Sequence, residues 1–296
     1  MSQVKLRWQS KLVLLLVLPF AGANLVLQTH WWATQMMPVA LVTVGLSFLL
    51  GLVVLKLHAA TPSGAATGAV LTASLMFATT TFPYKPWQTA LIPVLAVSLL
   101  AWIATRLGRE RKERLGAAEA KRGRSEYQVA ANLGVAAIVS SELAQSWLGQ
   151  AHSFARVPLS PASLFAVGLA ALAEAAADTV SSEIGQVFCG QPRMITTLRR
   201  VEPGTDGAIS LVGTLAGGAA AAIVALAGTV ALRGDSAMFW IATAGGVFGL
   251  FFDSVLGATL ERRGRLNNDA VNFLSTVSAV VFALGVLVVR AYSGTR

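Results

Sequence analysis

The chain has 296 residues, of which 55% are hydrophobic and only 12% are charged, about half the charged share of a soluble domain. With a mean hydropathy of +0.64, this composition predicts a polytopic membrane protein and leaves no room for a separate soluble domain. The net charge of +9 is typical of basic cytoplasmic loops that attract anionic lipid, so we expect no nucleic-acid partner. The single cysteine, Cys189, excludes an internal disulfide and a CxxC metal site.

Apolar runs predict an all-α bundle of about nine transmembrane helices that forms one domain over residues 1–296. The predicted spans are residues 11–29, 33–55, 64–82, 87–105, 128–149, 160–180, 207–232, 237–260 and 270–290. The third span is the weakest, since its glycines and threonines also fit a broken or re-entrant helix. Residues 1–30 are interpreted as an additional signal-anchor span, and Ala21-Gly22-Ala23 leaves cleavage by signal peptidase as the alternative.

The distribution of lysine and arginine predicts the orientation of these spans. With the N-terminus inside, 18 basic residues fall on the cytoplasmic side and 5 on the other. Because basic loops are retained in the cytoplasm, the chain is expected to be N-in and C-out. We expect it in a bacterial-type inner membrane.

Five carboxylates lie in or beside the predicted spans, toward the cytoplasmic side. They are Asp178, Glu183, Asp206, Asp253 and Asp269. Ionisable groups at membrane depth are costly and usually line a cavity, so they predict one water-accessible functional site. Asp206 and Asp269 also have a structural interpretation, as N-terminal caps of the helices that follow them.

The segment from Glu174 to Gly185 gives the strongest of these signals. Positions 174 and 178 lie one helical turn apart, as do 178 and 182, so two carboxylates and a hydroxyl share one helix face. Such carboxylates are tolerated if a divalent cation or a basic group lies between them, or if Glu174 stays protonated. The oxygen ligands suit Mg²⁺, and the spacing is equally typical of a proton or cation relay in a transporter.

Residues 196–207 predict a phosphate-binding loop. They combine Arg199 and Arg200 with the turn Pro203-Gly-Thr-Asp-Gly207 at a predicted helix start, where free N–H groups attract anions. The same turn also fits a simple reversal before a capped helix.

The basic loop of residues 106–124 is interpreted mainly as a solvated, lipid-facing run. Its end is more suggestive of a ligand site, because Arg122 and Arg124 stand just before a helix that carries Gln128 and Asn132 in its first turns. These residues predict a second position for a phosphate group.

Five motifs, in this order, resemble the integral membrane family known as domain of unknown function 92 over about residues 35–290. They are the segments 122–134, Asp178-Thr-Val-Ser-Ser-Glu-Ile-Gly185, Val201-Glu-Pro-Gly-Thr-Asp-Gly207, Asp253-Ser-Val-Leu-Gly257 and Asn268-Asp-Ala-Val-Asn272. The ADTxxSE core of that family is present as residues 177–183. Because the family includes plant phytyl-phosphate kinases, the resemblance implies a kinase. It would transfer the terminal phosphoryl group of a nucleoside triphosphate, CTP in particular, to an isoprenyl monophosphate.

On this interpretation, Asp178, Glu183 and Asp253 bind Mg²⁺ and, with Asp269, form the catalytic group. The residues expected to bind phosphate or nucleotide are Arg122, Arg124, Asn132, Ser181, Ser182, Arg199, Arg200, Gly204, Thr205, Asp206, Asn268 and Asn272. One alternative is a CTP-dependent cytidylyltransferase, which would attach CMP to a lipid phosphate. The other is a secondary transporter for a cation or organic anion, although the chain lacks a convincing inverted repeat.

Overall fold

The computed structural model describes residues 6–114, 123–147, 161–188 and 191–293. Its principal helices are α1 (Arg7–Gln35), α2 (Met37–Lys56), α3 (Pro62–Ala78), α4 (Leu91–Arg106), α5 (Arg109–Arg114), α6 (Glu126–Ser140), α7 (Pro161–Phe188), α8 (Leu211–Ala231), α9 (Ser236–Leu256) and α10 (Asn268–Ser293). A 3-10 turn (Pro86–Gln88) precedes α4, and a π-helical turn (Gly257–Glu261) extends α9. Two short antiparallel strands, β1 (Arg193–Met194) and β2 (Ala208–Ile209), pair with Arg193 opposite Ile209.

The prediction of an all-α polytopic membrane protein is confirmed. Within the described residues, six helices are long and apolar enough to cross a bilayer: α1, α2, α7, α8, α9 and α10. Helices α3, α4 and α6 have 17, 16 and 15 residues, fewer than the about 20 that a perpendicular crossing requires. The count of nine spans therefore stays a prediction.

The alanine-rich helix α7 lies at the centre of the bundle, and small residues let its neighbours approach closely. A Cβ on Gly217 of α8 would come within 2.7 Å of the Ala177 carbonyl oxygen. A Cβ on Gly246 of α9 would come within 2.9 Å of the Ala173 Cβ. In a membrane, where apolar side chains gain little by leaving lipid, such close backbone packing is the main source of helix association. It holds the two acidic helices, α7 and α9, against each other.

Two predicted helix ends are wrong, and the differences matter for the site. Helix α7 continues to Phe188 instead of ending at residue 180, so Asp178 lies well inside it. Helix α8 starts at Leu211 instead of residue 207, because the Ser210 hydroxyl accepts the Gly213 N–H at 3.0 Å and caps the helix. Residues 203–207 are consequently free to form a loop.

Hydrogen bonds join the basic segments at one end of the bundle, which we call the basic end. The Gln9 side chain donates to the Arg265 carbonyl at 2.9 Å, and the Arg106 guanidinium donates to the Leu57 carbonyl at 2.6 Å. The segments before α1, after α2, after α4 and before α10 thus meet there. That this end faces the cytoplasm stays a prediction from the positive-inside rule.

Helix α1 is an integral part of this bundle. Its Val17 is fully buried against α6, where a Cβ on Gly134 would come within 2.4 Å of a Val17 methyl carbon. At the basic end, Asn267 joins α1 to α10. Its amide donates to the Leu6 carbonyl and the Ser10 hydroxyl, both at 2.9 Å, and its side-chain oxygen accepts the Ala270 N–H at 2.9 Å.

Substitutions of Asn267 should separate its role as the cap of α10 from its hydrogen bonds to Leu6 and Ser10. Asn267→Ala removes the cap of α10 and both links to α1, so we expect a loss of about 2–3 kcal/mol in unfolding free energy. Asn267→Ser keeps a good N-cap and should lose only part of this. Thermal unfolding in detergent measures both variants, and equal midpoints for Asn267→Ala and the wild type would contradict the assignment.

Candidate functional site

A polar cavity with an open volume of about 1320 Å³ lies at the basic end between α6, α7, α9, α10 and the loop before α8. Most residues predicted to bind ligands line it: Arg124, Asn132, Asp178, Ser181, Ser182, Glu183, Gly204, Thr205, Asp206, Asp253, Asn268 and Asn272. These residues come from five chain segments, so the fold gathers the separate motifs around one hollow. Asparagine and hydroxyl groups predominate beside the carboxylates, and this chemistry suits phosphate and metal-bound oxygen.

Asp178 and Asp253 form the acidic centre of this cavity. Both side chains line the cavity, from the facing helices α7 and α9, and their charges interact. Oδ2 of Asp253 is buried and makes no hydrogen bond to any described residue. Buried polar atoms are normally satisfied, so this oxygen is suited to accept a ligand that enters the cavity.

Glu174 lies one turn below Asp178, away from the cavity lining. It is 1% exposed, and neither carboxyl oxygen has a hydrogen-bond partner in the described part of the chain. The nearby Ser275 hydroxyl donates to the Asn272 carbonyl at 2.9 Å instead. Glu174 Cγ is so close to α9 that a Cβ on Gly249 would approach it to 2.4 Å. Glu174 is therefore packed inside the bundle, and the alternative that it stays protonated stays a prediction.

Glu183 is neutralised by a lysine and does not join the two aspartates in a metal cluster. Lys112, 1% exposed, donates to Glu183 Oε2 at 2.5 Å and to the carbonyls of Ala104 and Thr105 at 2.9 Å each. Its three N–H groups thus cap the C-terminal end of α4 and pair with Glu183. Across the described ranges, no three His, Cys, Asp or Glu side chains are grouped as a metal site. The structure thus places Glu183 in an ion pair with Lys112, and the metal-binding role of Asp178, Glu183 and Asp253 stays a prediction.

Arg124 is held at the rim of the cavity by backbone contacts. Its N–H donates to the Ala59 carbonyl at 3.0 Å, and its carbonyl accepts the Thr61 N–H at 3.0 Å. A Cβ on Gly64 would come within 2.3 Å of the Arg124 carbonyl oxygen, so α3 can begin at this place only with glycine there. The guanidinium reaches Thr179 Oγ1 at 3.2 Å, which places it beside Asp178.

The loop of residues 203–207 closes one side of the cavity. Strands β1 and β2 hold it, and the Ile195 N–H donates to the Gly207 carbonyl at 3.1 Å. Gly204 and Gly207 have φ angles of +84° and +76°, which favour glycine. Burial raises the pKa of the Asp206 carboxyl, and the nearby Arg262 guanidinium partly offsets that rise.

Gly207 also touches the π-helical turn after α9, so this position tests how tightly the loop is packed. A Cβ on Gly207 would come within 2.3 Å of the Ala258 nitrogen. We expect Gly207→Ala to destabilise the protein by about 1–3 kcal/mol through strain and displacement of the loop. Gly218→Ala on α8, where nothing lies within 4 Å of the added carbon, is the control and should not lower the unfolding midpoint. Similar midpoints for both variants would contradict the close packing.

Several predicted ligands lie elsewhere. Asp269 faces α1, where it accepts the Ser10 hydroxyl at 2.6 Å in a shallow pocket that adjoins the polar cavity at Gln128 and Asn268, and its catalytic role stays a prediction. Arg199 and Arg200 are exposed in the hairpin and do not line the cavity. Arg122 lies outside the described residues. Neither Asp206 nor Asp269 caps a helix, since Ser210 and Asn267 do so.

Sequence reasoning missed two cavity residues. Gln186 lies two turns after Thr179 on α7 and has a buried side-chain oxygen without a hydrogen-bond partner among the described residues. Glu261 follows Asp253 by eight residues along α9 and its π-helical turn. Gln128, which the sequence did indicate, lines the cavity as well and closes a capping box with Ser125. The spacing of Glu261 from Asp253 was a usable signal, because it puts both acids on one helix face.

Comparison with known proteins supports the resemblance seen in the sequence. The profile of the family described as integral membrane protein DUF92 matches residues 45–280. The uncharacterized membrane protein sll0875 of Synechocystis sp. is 30% identical over 209 residues, which cover 68% of this chain and 74% of the relative. The uncharacterized membrane protein MJ0933 of Methanocaldococcus jannaschii is 44% identical over 120 residues, 40% of this chain and 49% of the relative.

A plant relative matches as well. Protein VTE6, chloroplastic, of Arabidopsis thaliana is 28% identical over 195 residues, which cover 64% of this chain and 56% of the relative. The chain thus spans about half the length of the archaeal and plant relatives. No solved structure matches it significantly. Because the family profile covers well over half of the sequence, this chain belongs to the integral membrane protein DUF92 family.

Proposed function

We propose that this protein is a membrane-embedded kinase that converts an isoprenyl monophosphate to the diphosphate with a nucleoside triphosphate, CTP in particular. The activity and its nucleotide come from the sequence resemblance to phytyl-phosphate kinases. The observation that carries the proposal is the pairing of Asp178 and Asp253 in a polar cavity at the basic end, beside Arg124 and under a glycine-containing loop. A phosphoryl-transfer site needs this combination of acids, cationic groups and close backbone.

The proposed reaction transfers one phosphoryl group. A phosphate oxygen of the isoprenyl monophosphate attacks the terminal phosphorus of the nucleotide, forming a new P–O bond. The bond between that phosphorus and the β-γ bridging oxygen breaks, and the nucleoside diphosphate leaves with the electron pair. Because the acceptor phosphate is already ionised near neutral pH, the step requires no strong general base.

The chain's own residues bind and orient the two phosphates. The Arg124 guanidinium lies where it can neutralise phosphate oxygens beside Asp178. Backbone N–H groups of the 203–207 loop and the Ser181 hydroxyl line the same cavity and can donate to phosphate oxygens, whereas the Ser182 hydroxyl donates to the Asp178 carbonyl at 2.9 Å. The amides of Asn132, Asn268 and Asn272 add donors and acceptors for phosphate or base.

The donor set around Asp178 and Asp253 fits Mg²⁺. This ion usually takes one or two protein carboxylates together with substrate phosphates, and the orphan Oδ2 of Asp253 is a suitable ligand atom. When bound, Mg²⁺ would supply positive charge that neutralises the polyphosphate. Two adjacent buried carboxylates are tolerated far better with such a cation between them.

Product analysis tests the proposal. Purified protein in detergent, with Mg²⁺ and each nucleoside triphosphate in turn, is given geranylgeranyl or phytyl phosphate, and the lipid product is weighed by mass spectrometry. A gain of one phosphate with release of nucleoside diphosphate is expected, and chelation by EDTA should abolish it until Mg²⁺ is restored. Addition of CMP with release of pyrophosphate would instead identify a cytidylyltransferase. Solute uptake into liposomes without nucleotide would identify a transporter.

A further inference from the structure

A second cavity adjoins the polar one and differs from it in chemistry. It has an open volume of about 980 Å³ and lies between α2, α3, α4 and the start of α6. Its lining is mainly apolar, with Arg106 and Arg109 at the basic end, and its inner part is formed by Leu50, Val94 and Val97. Along α3 the lining extends from Gly64 to Thr72, a depth of about 12 Å at 1.5 Å per residue. A cavity of this shape suits an extended hydrocarbon chain.

The two cavities meet at Arg124 and Asn132, which line both. The polar cavity leads from these residues to Asp178 and Asp253, and the apolar cavity leads from them toward the membrane interior. A phosphate placed at Arg124 would therefore have the acidic pair on one side and a hydrocarbon slot on the other. This is the amphipathic geometry of a lipid monophosphate.

The apolar cavity also has a lateral route to the bilayer. Helices α2 and α4 both line it, and their backbones are not closely packed against each other. Leu49, Val53, Leu99 and Ile103 on these two helices are exposed and apolar, as expected of lipid-facing residues. An acceptor dissolved in the membrane can thus enter between α2 and α4 without crossing water.

We propose that the apolar cavity holds the isoprenyl chain of the acceptor, with the phosphate at Arg124 and Asn132 and the tail toward Val94 and Leu50. The proposal rests on the proposed function and adds to it the determinant of chain length. Two positions along the slot have space for larger side chains. Gly68 lies one turn below Gly64, with the nearest atom to an added Cβ at 3.8 Å, and Ser98 is half-buried about two turns below Thr105.

Chain-length preference tests the assignment. For Ser98→Phe we expect the ratio of kcat/KM for geranylgeranyl phosphate to kcat/KM for isopentenyl phosphate to fall about tenfold or more, because the slot is shortened. Gly68→Leu, closer to Arg124, should also disfavour geranyl phosphate. Leu99→Phe, one residue along the same helix but facing outward, is the matched control and should keep the wild-type ratio. A wild-type ratio in both cavity variants would overturn the proposal.

A labelling experiment separates this inference from the proposed function. A geranylgeranyl phosphate with a diazirine on its tail should label α3 and α4 near Gly68 and Ser98 in wild-type protein and in Leu99→Phe. The label should be lost in Ser98→Phe. If the wild type phosphorylates no prenyl phosphate but shows this labelling, the proposed function fails and the chain site stands. Labelling elsewhere, or equal labelling by a diazirine phosphatidylcholine, would overturn the chain site.

Discussion

Asp178→Asn and Asp253→Asn should each lower kcat for phosphoryl transfer about a hundredfold to a thousandfold, the loss typical of removing one group that stabilises charge in the transition state. Both carboxyl groups line the polar cavity, and Oδ2 of Asp253 has no hydrogen-bond partner among the described residues. Asparagine has the same shape but cannot supply the second negative charge that a magnesium polyphosphate requires.

The same two variants should lose activity without losing folding stability. Two carboxylates held together away from water repel each other, so removing one charge should leave the unfolding midpoint unchanged or raise it. Asp235→Asn is the matched control on α9. Its side chain caps the helix at the exposed far end by accepting the Met238 N–H at 2.9 Å, and asparagine caps equally well. Wild-type transfer in both Asp178→Asn and Asp253→Asn would remove the assignment of the acidic pair.

Lys112→Met should destabilise the folded protein by about 3–5 kcal/mol, because it leaves a mostly buried carboxylate without its cation. The Lys112 ammonium is 1% exposed and donates to Glu183 and to the two last free carbonyls of α4. Arg111→Met removes one positive charge from the preceding, exposed position and should change stability by less than about 0.5 kcal/mol. Thermal and denaturant unfolding in detergent compare the two.

A double variant shows whether Glu183 is the cause. Lys112→Met with Glu183→Gln removes both charges, so it should recover part of the stability lost in Lys112→Met. Because Lys112 already occupies its carboxylate, Glu183→Gln alone should lose less phosphoryl transfer than Asp178→Asn. Equal losses in those two single variants would restore Glu183 to the metal site that the sequence predicted.

The residue types of the candidate site could be predicted from the sequence, but only some of the residues that line the cavity could be. The motifs around Asp178, residues 203–207, Asp253 and Asn268 all reach one cavity, because each lies at the basic end of its helix. Asp269, unlike Asp253, could also be interpreted from the sequence as a helix cap. Its neighbour Asn268 lines the cavity, whereas the Asp269 carboxylate accepts the Ser10 hydroxyl of α1. A 100° step per residue is enough to separate them, and helix rotation is set by packing.

Lys112 is a second residue whose environment could not be predicted from the sequence. Within a run of basic residues it predicts a solvated loop, and only the structure shows its burial against Glu183, which lies 71 residues along the chain. Local sequence carries no information on which charge meets which across such a separation. A carboxylate at membrane depth indicates that a partner exists, but not its identity.

The sequence by itself determined the membrane setting, the all-α class, the family and the chemical character of the site, because hydropathy, helical periodicity and motif order are properties of neighbouring residues. Tertiary structure alone decided which carboxylates form the acidic pair and where an apolar slot meets Arg124. Both depend on the rotation and close approach of helices, set by contacts such as Gly217 on Ala177 and Gly64 on Arg124 between residues far apart in the chain.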